Sequence, residues 1–212
     1  MERKLDGMHT RNFLVALSNS VIQSKDTLDS MDAACGDGDF GSIMYVAFSQ
    51  VLKALEETPG DDVGMILFAA GQSVLSAAGG ASGPMFGIFF IEAGREAKGK
   101  TGVNVQELTT MLDKSLHRIR ERGGAEVGDK TLVDALEPAV NTLKEAVASN
   151  ESLLPALKKA AEAANVGCES TKRLVAKHGK ARYLGEQTLG FVDPGAYVMS
   201  LTFATLSKVM EQ

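Results

Sequence analysis

Three aspartates, Asp32, Asp37 and Asp39, fall within eight residues of a 212-residue chain, and glycines at 36, 38 and 41 surround the last two. Carboxylates held that close repel one another. At ~4 Å and an effective dielectric of ~20, each pair costs about 4 kcal/mol. A hard divalent cation removes that cost, and Mg²⁺ favours a few carboxylates completed by phosphate oxygens and water. Glycine on either side lets backbone approach a ligand closely. Taken alone, the cluster fits equally well a solvated turn in which Asp serves as turn former.

Three further segments join glycine to polar residues, near 79–83, 123–130 and 179–192. What must position all four loops is helical. Val105, Leu108, Met111, Leu112, Leu116 and Ile119 recur at spacings of three and four, as do Leu132, Leu136, Ala139, Val140, Leu143 and Val147. Phe13, Leu14, Leu17 and Val21, then Val46, Phe48, Val51, Leu52 and Leu55, repeat the stripe. The pattern predicts helices over 9–24, 26–34, 41–57, 62–78, 83–98, 104–122, 131–149 (kinked by Pro138), 151–178 and 193–210. If the first two are one broken element, about eight helices result. Alternating strand patterns are scarce, so the fold class is all-α, an up-and-down bundle in one domain over 1–212. Consecutive loops of such a bundle lie at opposite ends. The turns near 58–61, 99–103 and 150 therefore fall at one end and the four glycine-rich loops at the other. Three of those loops run into helix starts: Ser82 before Pro84, Thr131 or Asp129, and Asp193 before Pro194. Free N–H groups there favour an anion.

Other motifs compete with this reading. Gly36-Asp-Gly-Asp-Phe-Gly41 matches G-x-G-x-x-G, but a helix end precedes it where a dinucleotide fold needs a strand. An EF-hand counted from Asp37 fails, because its twelfth position is Phe48. Gly94 to Thr101 matches the phosphate-binding pattern G-x-x-x-x-G-K-[ST], and Ile88 to Ile91 before it could form a strand. That leaves an NTPase using Lys100 and Thr101 as the runner-up, with no βαβ series to support it. Net charge is −5, which provides no basic surplus for nucleic acid. Two cysteines, Cys35 and Cys168, make no disulfide framework and fit a reducing cytoplasm. No signal peptide and no membrane span is expected.

Asp32, Gly36-Asp-Gly-Asp-Phe-Gly41, Gly79-Gly-Ala-Ser-Gly-Pro84, Gly128-Asp-Lys-Thr131 with Asp134-Ala-Leu136, Tyr183-Leu-Gly-Glu186 and Asp193-Pro-Gly195 occur in that order. Together, from about Thr10 to the C-terminus, they resemble the nucleotide-binding L subunit of dihydroxyacetone kinases. The resemblance implies an antiparallel helical barrel with ADP or ATP at one end and two Mg²⁺ ions on Asp32, Asp37 and Asp39. It implies nucleotide contacts from Phe40, Gly41, Ser42 and Ile43, from Gly79, Gly80, Ala81 and Ser82, and from Gly123, Thr131 and Leu132. Lys180, Asp193, Pro194 and Gly195 complete the set. The family usually places His where this chain has Phe40, and Arg where it has Lys180; Arg182 is expected to take over from that arginine. No general base stands out: His9 precedes the first predicted helix, and His117 and His178 are read as surface or boundary residues. The resemblance assigns the ketose to a separate K subunit. A phosphotransferase-system M subunit and a second copy of the chain are further expected partners. The alternative function is a Mg-nucleotide-binding regulatory subunit without phosphoryl transfer.

Overall fold

The apolar stripes become nine α-helices among the described residues, 3–77 and 83–212 of this computed structural model. They are α1 (Gly7–Gln23), α2 (Lys25–Ala33), α3 (Phe40–Glu57), α4 (Val63–Ala77), α5 (Gly83–Glu96), α6 (Val105–Gly123), α7 (Val133–Ala148), α8 (Leu153–Ser170) and α9 (Pro194–Val209). The first two are separate helices, divided at Ser24. From α3 onward each helix packs on its successor, and α9 returns against α1, which closes the ring. One buried core draws on every helix, with Phe48, Phe86, Phe90 and Phe203 among its largest members. No helix is long and apolar enough to cross a membrane among the described residues.

Caps set several boundaries. Asp6 accepts the His9 N–H at 2.9 Å, so α1 begins two residues earlier than its apolar stripe suggests and His9 lies in its first turn. Asn104 and Glu107 form a reciprocal capping box on α6. Asp193 accepts the Ala196 N–H at 2.7 Å with Pro194 in the first turn of α9, as its sequence suggests. α7 runs through Pro138 as a single helix. Proline offers no N–H to the Asp134 carbonyl four residues back. That carbonyl instead presses on Gly167 of α8, where an added methyl would lie 2.0 Å from it.

Two local expectations are corrected. α8 stops at Ser170, not 178, because the Ser170 and Thr171 hydroxyls bond the carbonyls of Gly167 and Cys168 at 2.7 and 2.6 Å and the chain turns away. Val46 is exposed, while Met44, Ala47, Phe48 and Val51 form the buried face of α3. Two short strands, β1 (Leu5–Asp6) and β2 (Gly102–Val103), pair antiparallel, a length too short to leave an alternating pattern.

β1 and β2 mark the end of the barrel where α1 starts. Arg11 closes α3 there, donating to the carbonyls of Leu55, Thr58 and Gly60. The Gly94–Thr101 segment lies at this end too, and its phosphate-binding reading falls. Ile88 to Ile91 are helical, in α5, and the motif begins inside the last turns of that helix. Lys100 pairs with Glu107 at 2.7 Å, and its carbonyl accepts the Val63 N–H at 2.8 Å. A phosphate loop needs a strand leading into a helix start; this is a helix running out into a turn.

Candidate functional site

At the opposite end α3, α5, α7 and α9 begin and α6 finishes. Their termini surround a cavity of about 810 Å³, within the range of small-ligand sites. All four glycine-rich loops send residues to its wall, the second through Gly83, the one residue of 79–83 among the described residues.

The acidic loop crosses from α2 to α3. Asp32 ends α2 with its Oδ2 accepting the N–H groups of Gly38, Asp39 and Phe40 at 2.9, 3.1 and 3.4 Å. One carboxylate thereby curls the loop and satisfies the start of α3. The result brings one oxygen each from Asp32, Asp37 and Asp39 within 4.8 Å of one another. Lys180, from the last glycine-rich loop, pairs with Asp37 and holds its carboxyl below the usual range. Asp39, which Lys180 does not bond, is pushed upward by desolvation and by the charge of Asp37.

Lys180 belongs to a strap, residues 171–192, that links α8 to α9. Its two ends are gripped by one side chain: Lys130 donates to the carbonyls of Thr171 at 2.6 Å and Phe191 at 2.5 Å. Lys130 is buried, and desolvation lowers its pKa. Its φ of 60° is unusual for a non-glycine residue and costs of order 1 kcal/mol, which the two bonds offset. Asp129 grips the middle of the strap, 2.7 Å from the Lys177 ammonium and 3.1 Å from a His178 ring nitrogen.

Burial opposes ionisation of Asp129, but Lys177, the Glu126 amide and His178 together outweigh it and bring the carboxyl down to about 2. The folded pKa lies below the unfolded value near 3.8, so the stabilisation is complete above pH ~4 and is lost as pH falls from ~4 to ~2. Its size is about 2 kcal/mol. Asp129→Asn is therefore expected to lower the melting temperature at neutral pH and to flatten the acid limb of a stability–pH curve measured by urea unfolding. An acid limb as steep as that of the wild type would contradict the assignment.

The DAK2 domain family model matches residues 34–208 of this chain. The chain belongs to the DAK2 domain family. This DAK2 domain is 35% identical to the ADP-binding subunit DhaL of PEP-dependent dihydroxyacetone kinase 2 from Listeria innocua, over 92% of this chain and 91% of that one. It is 28% identical to the probable dihydroxyacetone kinase of Dictyostelium discoideum, over 97% of this chain but 34% of the longer protein. It superposes on the dihydroxyacetone kinase of C. freundii, crystallised with AMP-PNP and Mg²⁺, with a TM-score of 0.70 and 27% identity, covering 98% of this chain and 35% of that one. The chain thus spans about a third of the length of the two longer kinases and nearly all of the separate subunit.

Within this DAK2 domain, Phe40, Ile43, Gly123, Thr131, Leu132, Lys180, Arg182, Asp193, Pro194 and Gly195 line the cavity. Gly79, Gly80, Ala81 and Ser82 lie outside the described residues. Gly41 and Ser42 stand behind the wall instead: Ser42 gives its N–H and hydroxyl to Asp29 at 2.8 and 3.0 Å, and Gly41 packs against the start of α2. The helix starts also differ from the sequence reading. The Gly128 and Thr131 N–H groups go to Asp134 at 2.6 and 2.7 Å, and the Val133 N–H goes to the Thr131 hydroxyl at 3.2 Å. Asp32 and Asp193 serve α3 and α9 likewise, so several N–H donors at three helix starts are already taken.

Several wall residues escaped the sequence reading: Cys35, Arg122, Lys130, His178 and Tyr183. Lys130 and Arg122 adjoin Thr131 and Gly123, and a cation beside a glycine-rich loop is a signal that could have marked both. Met85, Ile119, Leu132 and Val192 contribute apolar lining to the cavity. At the foot of α9, desolvation lifts the Asp193 carboxyl to about 7, against the pull of the Ala196 amide and the Lys130 ammonium.

Proposed function

We propose that this DAK2 domain, a single unit over 1–212, is the nucleotide-binding subunit of a dihydroxyacetone-type ketose kinase. It binds ADP or ATP with two Mg²⁺ ions and presents the phosphoryl donor to a separate ketose-binding K subunit. The observation that carries this reading is the gathering of Asp32, Asp37 and Asp39 on the wall of a cavity also lined by Lys180, Arg182 and Arg122 and by apolar residues. Close homology to ADP-binding subunits supports it.

The donor set fits magnesium: three hard oxygen ligands, close together and open to the cavity, leave positions for phosphate oxygens and water. Magnesium bound there supplies charge neutralisation to the phosphates and to the group in transfer. The chain's own residues do the rest. The Asp32 carboxylate keeps the acidic loop curled. Lys180, Arg182 and Arg122 set the polyphosphate's direction across the cavity, and Ile119, Leu132, Met85 and Val192 hold the base out of water. Positioning of this kind accounts for most of phosphoryl-transfer catalysis. All three histidines are engaged: His178 with Asp129, His9 with Asp6 at the far end, and His117 with Glu121 midway along α6. In this reading the hydroxyl to be phosphorylated is bound and activated on the K subunit. A bound ADP recharged by a phosphotransferase-system M subunit suits the same geometry, as does a cytoplasmic setting.

Mixing the chain with a K subunit, dihydroxyacetone and Mg-ATP is expected to yield the sugar phosphate, detected by coupled assay. Omission of either chain abolishes it. Nucleotide binding without any transfer, under both ATP-driven and M-subunit-driven conditions, would replace the kinase reading with a regulatory one.

A further inference from the structure

We infer that Lys180 is a built-in competitor of the divalent cation at Asp37, and that this competition couples metal binding to nucleotide binding; the inference rests on the nucleotide–magnesium reading above. The Lys180 ammonium pairs with Oδ2 of Asp37, 143 residues away in the chain. That carboxylate is also one of the three whose oxygens lie within 4.8 Å of one another. A divalent ion and an ammonium therefore seek the same acceptor. The ion carries twice the charge and approaches oxygen more closely, so full coordination displaces the ammonium.

The displaced ammonium stays at the cavity. Its strap is pinned elsewhere, by Lys130 on Thr171 and Phe191 and by Asp129 on Lys177 and His178. The Lys177 N–H adds a bond to the Asp129 carbonyl at 3.2 Å. Lys180 then swings on its own flexible stem, 69% exposed, while the strap keeps its place. With a nucleotide present, the phosphates give the ammonium a new anionic partner. Without one, it loses Asp37 and gains only water. Metal thus binds more weakly alone than with nucleotide, and linkage requires that nucleotide gain from metal by the same factor. A lysine suits this exchange: its point charge pivots between acceptors, whereas a guanidinium fork favours one bidentate geometry.

The test compares wild type with Lys180→Gln and Lys180→Arg, with Mn²⁺ as the probe. Mn²⁺ affinity is measured by electron paramagnetic resonance with and without saturating ADP, and circular dichroism checks that each variant melts as the wild type does. Lys180→Gln is expected to tighten Mn²⁺ binding in the absence of nucleotide by about fivefold and to shrink the Mn²⁺–ADP coupling factor by a similar amount. Lys180→Arg, which keeps the charge, retains the competition at Asp37 but shows a smaller coupling factor than the wild type. Unchanged or weaker Mn²⁺ binding by Lys180→Gln without ADP overturns the competition, even if the wild type binds Mn²⁺ and ADP together. Failure of the wild type to bind ADP at saturating Mn²⁺ overturns the underlying nucleotide reading instead.

Discussion

Asp37→Ala is expected to weaken magnesium-dependent ADP binding by about a hundredfold or more while leaving the melting temperature unchanged or slightly raised. The two halves of this result have one cause. Replacing an outer-shell partner of a metal ligand typically costs 10–100-fold in affinity, so loss of a direct ligand lies at or beyond the top of that range. In the protein itself Asp37 stabilises little. It is 39% exposed, it supports no helix start, and its charge helps push the Asp39 carboxyl upward. Removing it frees Lys180 and relieves that repulsion. Isothermal titration of ADP with magnesium and again with chelator, alongside a thermal melt, measures both halves. Retention of magnesium-dependent affinity in Asp37→Ala would remove the metal site from the account. Asp32→Ala is a poorer probe, because Asp32 also holds three loop N–H groups and its loss would unfold the acidic loop.

Gly41→Ala is expected to cost about 2–3 kcal/mol of stability and to weaken Mg-ADP binding at least tenfold, although Gly41 does not line the cavity. A methyl built on Gly41 lies 2.0 Å from the Lys25 carbonyl oxygen and 2.8 Å from the Asp29 backbone nitrogen, both fixed parts of α2. Neither can yield, so α3 must move off α2. Asp32 closes the first of these helices and Asp39 precedes the second. Any widening between them therefore opens the carboxylate cluster. For a domain of this size the loss corresponds to a fall in melting temperature of about 4–12 °C. If Gly41 instead served to let a phosphate approach the backbone, binding would fall with no change in the melt. That pattern would refute the packing role.

These two residues show where reading along the chain works and where it stops. The helices were legible because burial on a ring of helices imposes a period of 3.6, and the stripes from Val105 to Ile119 and from Leu132 to Val147 carry it. The acidic cluster was legible because its members lie within eight residues, so loop composition alone brings them near one another. The common end of the glycine-rich loops followed from counting helices.

What escaped are features whose partners lie far away in the chain. Lys130 is only one member of the Gly128-Asp-Lys-Thr131 block until the closed ring sets it under Thr171 and Phe191, 41 and 61 positions on. His178 reads as part of a helix until Thr171 turns the chain and Asp129 captures it. Gly41 reads as a ligand-approach glycine until α2 is seen against it. The P-loop pattern at Gly94 is satisfied residue by residue, yet it sits at the wrong end of a helix. Local pattern determined the helices, the loops and the acidic trio, because each depends on neighbours in sequence. Only the closure of the barrel decided which cations face those acids and which glycines are spacers, because those contacts exist only once α9 has come back to α1.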